Sequence, residues 1–311
     1  MEKKTIRINA SGLKKSACDL AFWRTVIEGY KSKHQYNDVE FGSAVHLFLK
    51  NMFTSNGNIG AALHEARKYF EDSKPLIRRD KEYLTMMHLM TVCTTYWQWL
   101  QDNQSDFELF TKEDGTPAVE LTFSNLFYED DDYRVLLEGT IDRLGKYKGA
   151  QGQTCFRDYK TTSSHKIDKY LSGYELSTQM RFYLFNLQLH AKLNPDSFLA
   201  GISRRPIGCA IDGVFLGGAD KTTFKSSRIM TYSAYDMDEM REQLTEFVGS
   251  IIMYLKAGIL PLRQGILNGA CNLVFGECEF ANACKQPDKV SANHIMKQQF
   301  NQVEYRPLRE D

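Results

Sequence analysis

The sequence has no net charge: 39 Lys and Arg stand against 39 Asp and Glu in 311 residues. That balance excludes a uniformly basic nucleic-acid coat, so any basic surface must be local. No stretch approaches the ~18 uninterrupted apolar residues of a membrane span. The start, MEKKTIRINA, lacks the apolar core of a signal peptide. The expectation is a soluble, cytoplasmic protein with no membrane partner. An internal repeat and a low-complexity linker are also missing. What is present is core material. Hydrophobic residues make up 42% and charged residues 25%, with 19 Phe and 16 Tyr, which excludes a disordered chain. The length fits one large domain or two ordinary ones.

Seven cysteines without a signal peptide argue against a secreted disulfide framework and for metal ligands or buried thiols. Cys18 stands alone near the start, and Cys271, Cys278 and Cys284 cluster near the end. Cys93 falls in a predicted helix and Cys155 and Cys209 on predicted strands, where a core thiol is the simpler reading.

Apolar periodicity predicts helices over 13–30, with Ser11 as cap, then 41–52, 59–70 and 76–100. The pattern changes near Pro117. Strands are predicted over 118–128, 134–147 and 154–160, separated by an acidic turn at 129–132 and a Gly-rich turn at 148–152. A helix over 174–193, strands over 208–216 and 228–235, and a helix over 237–256 follow. The stretch after Pro261 reads as irregular. Helices, a meander, a helix and further strands make an α/β or α+β domain, not a bundle.

The chemistry concentrates in Glu138-Gly139-Thr140-Ile141-Asp142-Arg143 and Phe156-Arg157-Asp158-Tyr159-Lys160. Alternation along a strand puts Phe156, Asp158 and Lys160 on one face, and Cys155, Arg157 and Tyr159 on the other. A hairpin centred on Ala150 pairs Asp142 with Asp158, their Cβ atoms about 5 Å apart. Opposed carboxylates repel unless a cation lies between them, and a hard divalent ion such as Mg²⁺ or Mn²⁺ takes such oxygens. Lys160 could orient an attacking water or stabilise charge building on a phosphate. A surface hairpin whose charges happen to alternate is the plain alternative.

These residues resemble the D…(D/E)-x-K signature of the PD-(D/E)XK nuclease superfamily, as Asp142…Asp158-Tyr159-Lys160. The strings around them resemble its RecB-like branch. Gly42-Ser43-Ala44-Val45-His46 is similar to that branch's helical His motif, and Gln179-Met180-Arg181-Phe182-Tyr183 to its downstream Gln and Tyr. Glu120 occupies a place where the branch often has a Glu and is left outside the ligand set. The resemblance implies a restriction-endonuclease-like mixed sheet flanked by helices. It implies Mg²⁺ or Mn²⁺ at Asp142 and Asp158, helped by His46 and the Tyr159 carbonyl, with Lys160 catalytic. Gln179 and Tyr183, four apart on one helix face, would hold DNA.

The branch includes members with an iron–sulfur cluster, among them AddB-type and CRISPR-adaptation nucleases, with one cysteine before the nuclease core and three after it. Cys18, Cys271, Cys278 and Cys284 match that layout, and the C-terminal stretch also resembles phage-type exonucleases. The implied group is a [4Fe–4S] cluster. Structural Zn²⁺, or loop thiols with no metal, are the other readings.

The resulting expectation is a helical segment over 1–116, a nuclease core over 117–260 and a cysteine segment over 261–311, interwoven as one domain. Its function would be that of a metal-dependent DNA exonuclease in recombination, repair or phage DNA processing, in a bacterial or phage-infected cell. A DNA-binding iron–sulfur scaffold with marginal cleavage is the alternative, and a hydrolase of another substrate a third. A recombination or replication protein is a candidate partner. Basic runs at Lys14–Lys15, Lys160–Lys169 with His165, Arg204–Arg205 and Lys221–Arg228 are candidate DNA contacts or solvated faces. Phe22, Trp23 and Tyr30 could stack on bases but fit a core better.

Overall fold

The structure, a computed structural model, describes residues 3–306 except 56, 149–152, 204–206, 218–220 and 274–275. The Gly-rich turn around Ala150 and the Arg204–Arg205 pair therefore lie outside the described residues. The chain begins with β1 (Lys4–Ile8), α1 (Ala10–Lys14), a 3₁₀ turn, α2 (Asp19–Phe22), a π turn and β2 (Tyr30–Ser32). Three longer helices follow: α3 (Asn37–Thr54), α4 (Ile59–Ser73) and α5 (Met86–Asn103). Next come β3 (Phe107–Leu109), β4 (Val119–Glu129), β5 (Tyr133–Tyr147) and β6 (Thr154–Thr162). Helices α6 (Ile167–Ser172), α7 (Thr178–Leu193) and α8 (Phe198–Ser203) lead to β7 (Ile207–Leu216), β8 (Thr222–Ser226) and α9 (Ala234–Ala257). The end of the chain holds α10 (Gly265–Asn268), β9 (Asn272–Leu273), β10 (Gly276–Glu277), α11 (Ala281–Cys284), α12 (Lys289–Gln299) and β11 (Phe300–Gln302).

One mixed seven-stranded sheet organises these elements, with β1–β5–β6–β7–β8 as its path and β3 and β4 also paired to β5. Strand β5 is long enough to carry two neighbours on each edge. Along one edge lie β4 and then β3; along the other, β1 runs parallel to Tyr133–Leu137 and β6 antiparallel to Arg143–Lys146. No strand pairs with residues 138–142 on that second edge, among the described residues. The sheet opens there.

Helices cover both faces, as a half-buried sheet requires. Phe156, Ile141 and Ile211 pack with α7 and α9 residues such as Met180, Phe182 and Leu244. On the opposite side Tyr159 and Val214 pack under α3, α4 and α5, against Phe48, Ala66 and Tyr96. Phe156 and Tyr159 thus take opposite faces of β6, as the strand alternation predicts. Cys93, Cys155 and Cys209 are buried in the core. Phe22 and Trp23 are buried too, which gives these aromatics a packing role.

Four expectations need correction. The helix over 13–30 is broken at Cys18, whose backbone is extended, and its true cap is Asn9, which accepts the Gly12 N–H at 2.7 Å. The helix over 76–100 starts only at Met86, capped by Thr85, because Leu76 pairs its backbone with Gln35 and Asn37. The strand over 228–235 is a single bridge between Met230 and Cys209, since β8 already occupies the edge of β7 from Asp212 onward. The tail after Pro261 is more regular than its sequence suggests: Asp288 caps α12, and β11 pairs with β2.

Candidate functional site

The β5–β6 register pairs Arg143 with Arg157, Leu144 with Phe156 and Lys146 with Thr154. This is the register that the sequence expectation requires for Asp142 opposite Asp158. The backbone ladder stops one step short of them. In its place the Asp142 Oδ2 accepts the Tyr159 N–H at 2.6 Å, so a side chain occupies the next rung. Both carboxylates are buried.

On the other edge of β5, Val119 pairs with Arg143 and Leu121 with Ile141. Glu120 therefore falls opposite Asp142. Its φ of +47° is a left-handed conformation that costs a non-glycine residue of order 1–3 kcal/mol, of the kind that persists at functional sites. Glu120, Asp142 and Asp158 thus occupy one row across three adjacent strands. Oxygens of Glu120 and Asp142 and a ring nitrogen of His46 lie within 4.8 Å of one another.

His46 reaches this row from α3. Its Nε2 lies 3.1 Å from the Tyr159 carbonyl and its Nδ1 3.4 Å from Asp142 Oδ1. Close approach of the helix depends on Gly42, one turn earlier: a Cβ there would sit 2.7 Å from Thr161 Oγ1 on β6. With Nε2–H on the carbonyl, the neutral ring presents Nδ1 to the carboxylates. Burial lowers the imidazole pKa, but the Asp142 charge outweighs it and holds the pKa above the ordinary value. Burial likewise pushes Asp142 up, and the His46 charge and hydrogen bond reverse the shift, leaving it below the usual carboxylate range.

Asp158 behaves differently. Burial and the Asp142 charge raise its pKa, and Lys160 only partly compensates. Its Oδ2 pairs with the Lys160 ammonium and its Oδ1 accepts from Gln179 Nε2 at 3.4 Å. Gln179 also lies 3.1 Å from the Tyr183 hydroxyl. Gln179 and Tyr183, expected to hold substrate, are thus joined to the carboxylate row through Asp158. A cleft of 1100 Å³ opens against His46, Glu120, Tyr159 and Lys160, with Lys50, Arg78 and Lys81 further along its wall. Two buried acids, a third acid beside them and one imidazole form a mainly hard-oxygen donor set that suits Mg²⁺ or Mn²⁺ better than a soft metal.

A family model matches residues 9–285, described as the PD-(D/E)XK nuclease superfamily. The chain belongs to that superfamily. Its member residues span both the carboxylate row and the cysteines. A comparison with curated proteins returns no match. Among solved structures, the chain is similar to one named "Putative exonuclease" from Eubacterium rectale: 12% identity, 91% of this chain and 90% of that one covered, TM-score 0.49. Another, SSO0001, gives 10% identity, 78% and 76% coverage and a TM-score of 0.26.

A second cluster lies away from the row. Cys18, Cys271, Cys278 and Cys284 line one small pocket, although more than 250 residues separate the first from the rest. Gly265 leaves room for them: a Cβ there would meet Cys271 Sγ at 3.1 Å and the Cys18 Cβ at 3.3 Å. Arg24 donates to Cys284 Sγ at 3.3 Å, and Arg263 also lines the pocket. Two cations beside four sulfurs fit thiolates bound to a metal group. Of the other basic runs, Lys15 pairs with Glu279, Lys225 with Asp168 and Arg228 with Glu175. These three behave as solvated, paired surface charges.

Proposed function

We propose that the protein is a divalent-metal-dependent deoxyribonuclease acting from DNA ends, in recombination, repair or phage DNA processing. It would belong to the RecB-like branch and carry a [4Fe–4S] cluster on Cys18, Cys271, Cys278 and Cys284. The observation that carries the reading is the row Glu120–Asp142–Asp158, flanked by His46 and Lys160, which with Glu120 line the cleft in front of the two buried acids.

Mg²⁺ or Mn²⁺ at the row would supply Lewis-acid stabilisation of the scissile phosphate and make water acidic enough to attack. Asp142, Asp158, Glu120 and His46 Nδ1 would hold the ion. The Tyr159 carbonyl keeps a second lone pair beside the one that faces His46. Lys160 stays cationic: burial lowers its pKa, but Asp158 and Asp142 raise it above the ordinary value. With Asp158 among the ligands that would hold the ion, the Lys160 ammonium would be placed to orient the attacking water and to donate to the phosphoryl oxygens as charge builds. The water oxygen would form the new P–O bond and release a proton to solvent, while the bond to the leaving oxygen breaks and that oxygen takes a proton from solvent. Gln179, itself bonded to the Tyr183 hydroxyl, steadies Asp158 from α7, and the pair would hold the strand being cut.

The cluster reading rests on the convergence of four thiols from opposite ends of the chain. One cysteine before the core and three after it, unlike the two close pairs usual in zinc sites, is the layout that favours an iron–sulfur cluster over a lone Zn²⁺.

Linear DNA labelled at either end, and a covalently closed circle, incubated with protein and Mn²⁺ test the proposal. Loss of label from linear DNA with the circle intact is the expected result. Tight binding of both substrates without cleavage would give the scaffold reading instead.

A further inference from the structure

The carboxylate row and the thiol pocket are joined by one short piece of chain. Helix α1 packs against α7, and at its last residue Lys14 Nζ lies 3.4 Å from Gln179 Oε1. Four residues later the backbone turns extended at Cys18 and delivers its thiol to the pocket. The C-terminal segment grips the stretch between and beyond. Lys15 pairs with Glu279, the Ala17 carbonyl accepts from Asn268, and Asp19 exchanges two hydrogen bonds with Gln264, at 2.9 and 3.3 Å. A five-residue helix is too short to hold its own geometry. The position of α1 is therefore set by α7 on one side and by the cysteine segment on the other.

The contact at Gln179 has a definite polarity. An ammonium has three donors and no acceptor, so it takes the amide oxygen. The amide nitrogen is then left for two oxygens, Asp158 Oδ1 at 3.4 Å and the Tyr183 hydroxyl at 3.1 Å. With the amide reversed, its oxygen would face the Asp158 carboxylate, two acceptors without a proton between them. Lys14 thus selects the orientation in which Gln179 supports Asp158.

We propose that Lys14 is a positioning residue of the nuclease site, acting through Gln179 on Asp158, and that its placement depends on Cys18 being held by the metal group in the thiol pocket. The proposal rests on the nuclease reading above and extends it: loss of that group withdraws Lys14 and impairs the row without touching any metal ligand in it.

The test is a double-mutant cycle on the full-length, metal-loaded protein, read both as cleavage rate and as Mn²⁺ affinity by electron paramagnetic resonance. Lys14→Met keeps the stem and removes the ammonium. It should leave the visible absorbance of the thiol-bound group unchanged and lower kcat by about tenfold, the scale of losing an outer-sphere support, with KM for DNA little changed. Lys14→Arg, which keeps the donor, should recover most of the rate. Lys14→Met combined with Gln179→Leu should be no worse than the poorer single variant. The same holds for Lys14→Met added to Cys18→Ser, or to Gln264→Ala if Cys18→Ser does not fold. A wild-type rate in Lys14→Met, or losses that multiply in the cycle with Gln179→Leu, would overturn the proposal. If the wild-type protein cuts no DNA, the nuclease reading fails, and the Mn²⁺-affinity cycle still decides the coupling of Lys14 to Asp158.

Discussion

Asp142 and Tyr159 are joined by a hydrogen bond of 2.6 Å from the Tyr159 N–H to the Asp142 carboxylate, where a backbone rung between β5 and β6 would otherwise form. A single carboxylate thereby accepts a buried backbone donor with one oxygen and turns the other toward His46, at 3.4 Å. Its two duties separate in mutants. Asp142→Ala should lose cleavage and also about 1–3 kcal/mol of stability, because the Tyr159 N–H is left buried without an acceptor. Relief of the repulsion with Asp158 offsets only part of that cost. Asp142→Asn keeps an acceptor oxygen and should lose cleavage with a much smaller change in the urea midpoint. An active Asp142→Asn enzyme would contradict the site assignment.

Lys160 is held by Asp158, and its charge is secured by both acids. Lys160→Ala should slow cleavage by roughly 10²-fold or more, the scale of one preorganised transition-state donor. Calorimetric Mn²⁺ affinity should change far less, since the ammonium competes with the ion for Asp158 rather than binding it. Lost metal binding with a high residual rate would make Lys160 structural.

Behind the row, Arg143 and Arg157 both pair with the fully buried Asp212. Burial pushes the Asp212 pKa up, but the two guanidiniums, Arg157 foremost, bring it down from 3.8 to about 2. A depressed folded-state pKa stabilises above the unfolded value and loses that support as pH falls through the folded one. Urea denaturation should therefore show about 2 kcal/mol from this group lost between pH of about 4 and about 2. Asp212→Asn should remove that part of the acid dependence and cost about 3–5 kcal/mol at neutral pH, since two buried cations lose their carboxylate. An unchanged acid limb in Asp212→Asn would refute the account of this cluster.

The thiol pocket joins the start of the chain to its end. In the chain-entropy model, closing so long a loop contributes about 4–5 kcal/mol, by analogy with a disulfide. Against a net stability of about 5–15 kcal/mol that loss is global. Protein purified without oxygen should be brown. Cys18→Ser and Cys278→Ser should bleach it and lower Tm alike, whereas Cys93→Ser, at a thiol that burial pushes far up in pKa, should keep the colour. Colourless protein with stoichiometric zinc would replace the cluster with the zinc reading.

The register of Asp142 against Asp158 was legible because a hairpin's turn fixes its pairing. Glu120 was noticed by resemblance but left out of the ligand set, and its place opposite Asp142 was not legible for a local reason. Glu129 pairs with Arg134 and Tyr128 with Val135, a register that carried inward would set Leu121 opposite Asp142. A bulge at Phe127 slips the strand by one residue and brings Glu120 there instead. Strand β1 was missed because KTIRI is too short to stand out from the helical pattern that follows. The break at Cys18 was hidden because the apolar spacing on either side continues as one helix, whereas the folded chain turns extended there, between residues bonded to Asn268 and Gln264. The four cysteines and His46 were legible as residue types at suggestive positions. The meeting of the cysteines in one pocket, and of His46 with Asp142 and Glu120 in another place, is a property of the folded chain.

The central claim is that the carboxylate row does the cutting, and single-turnover cleavage of end-labelled DNA in Mn²⁺ by wild type and Asp158→Asn tests it most directly. Asn keeps the shape and an acceptor for Gln179, and both proteins should be equally folded by circular dichroism. The account predicts rapid release of label by wild type and none above background by the variant. Equal rates from the two proteins would contradict it.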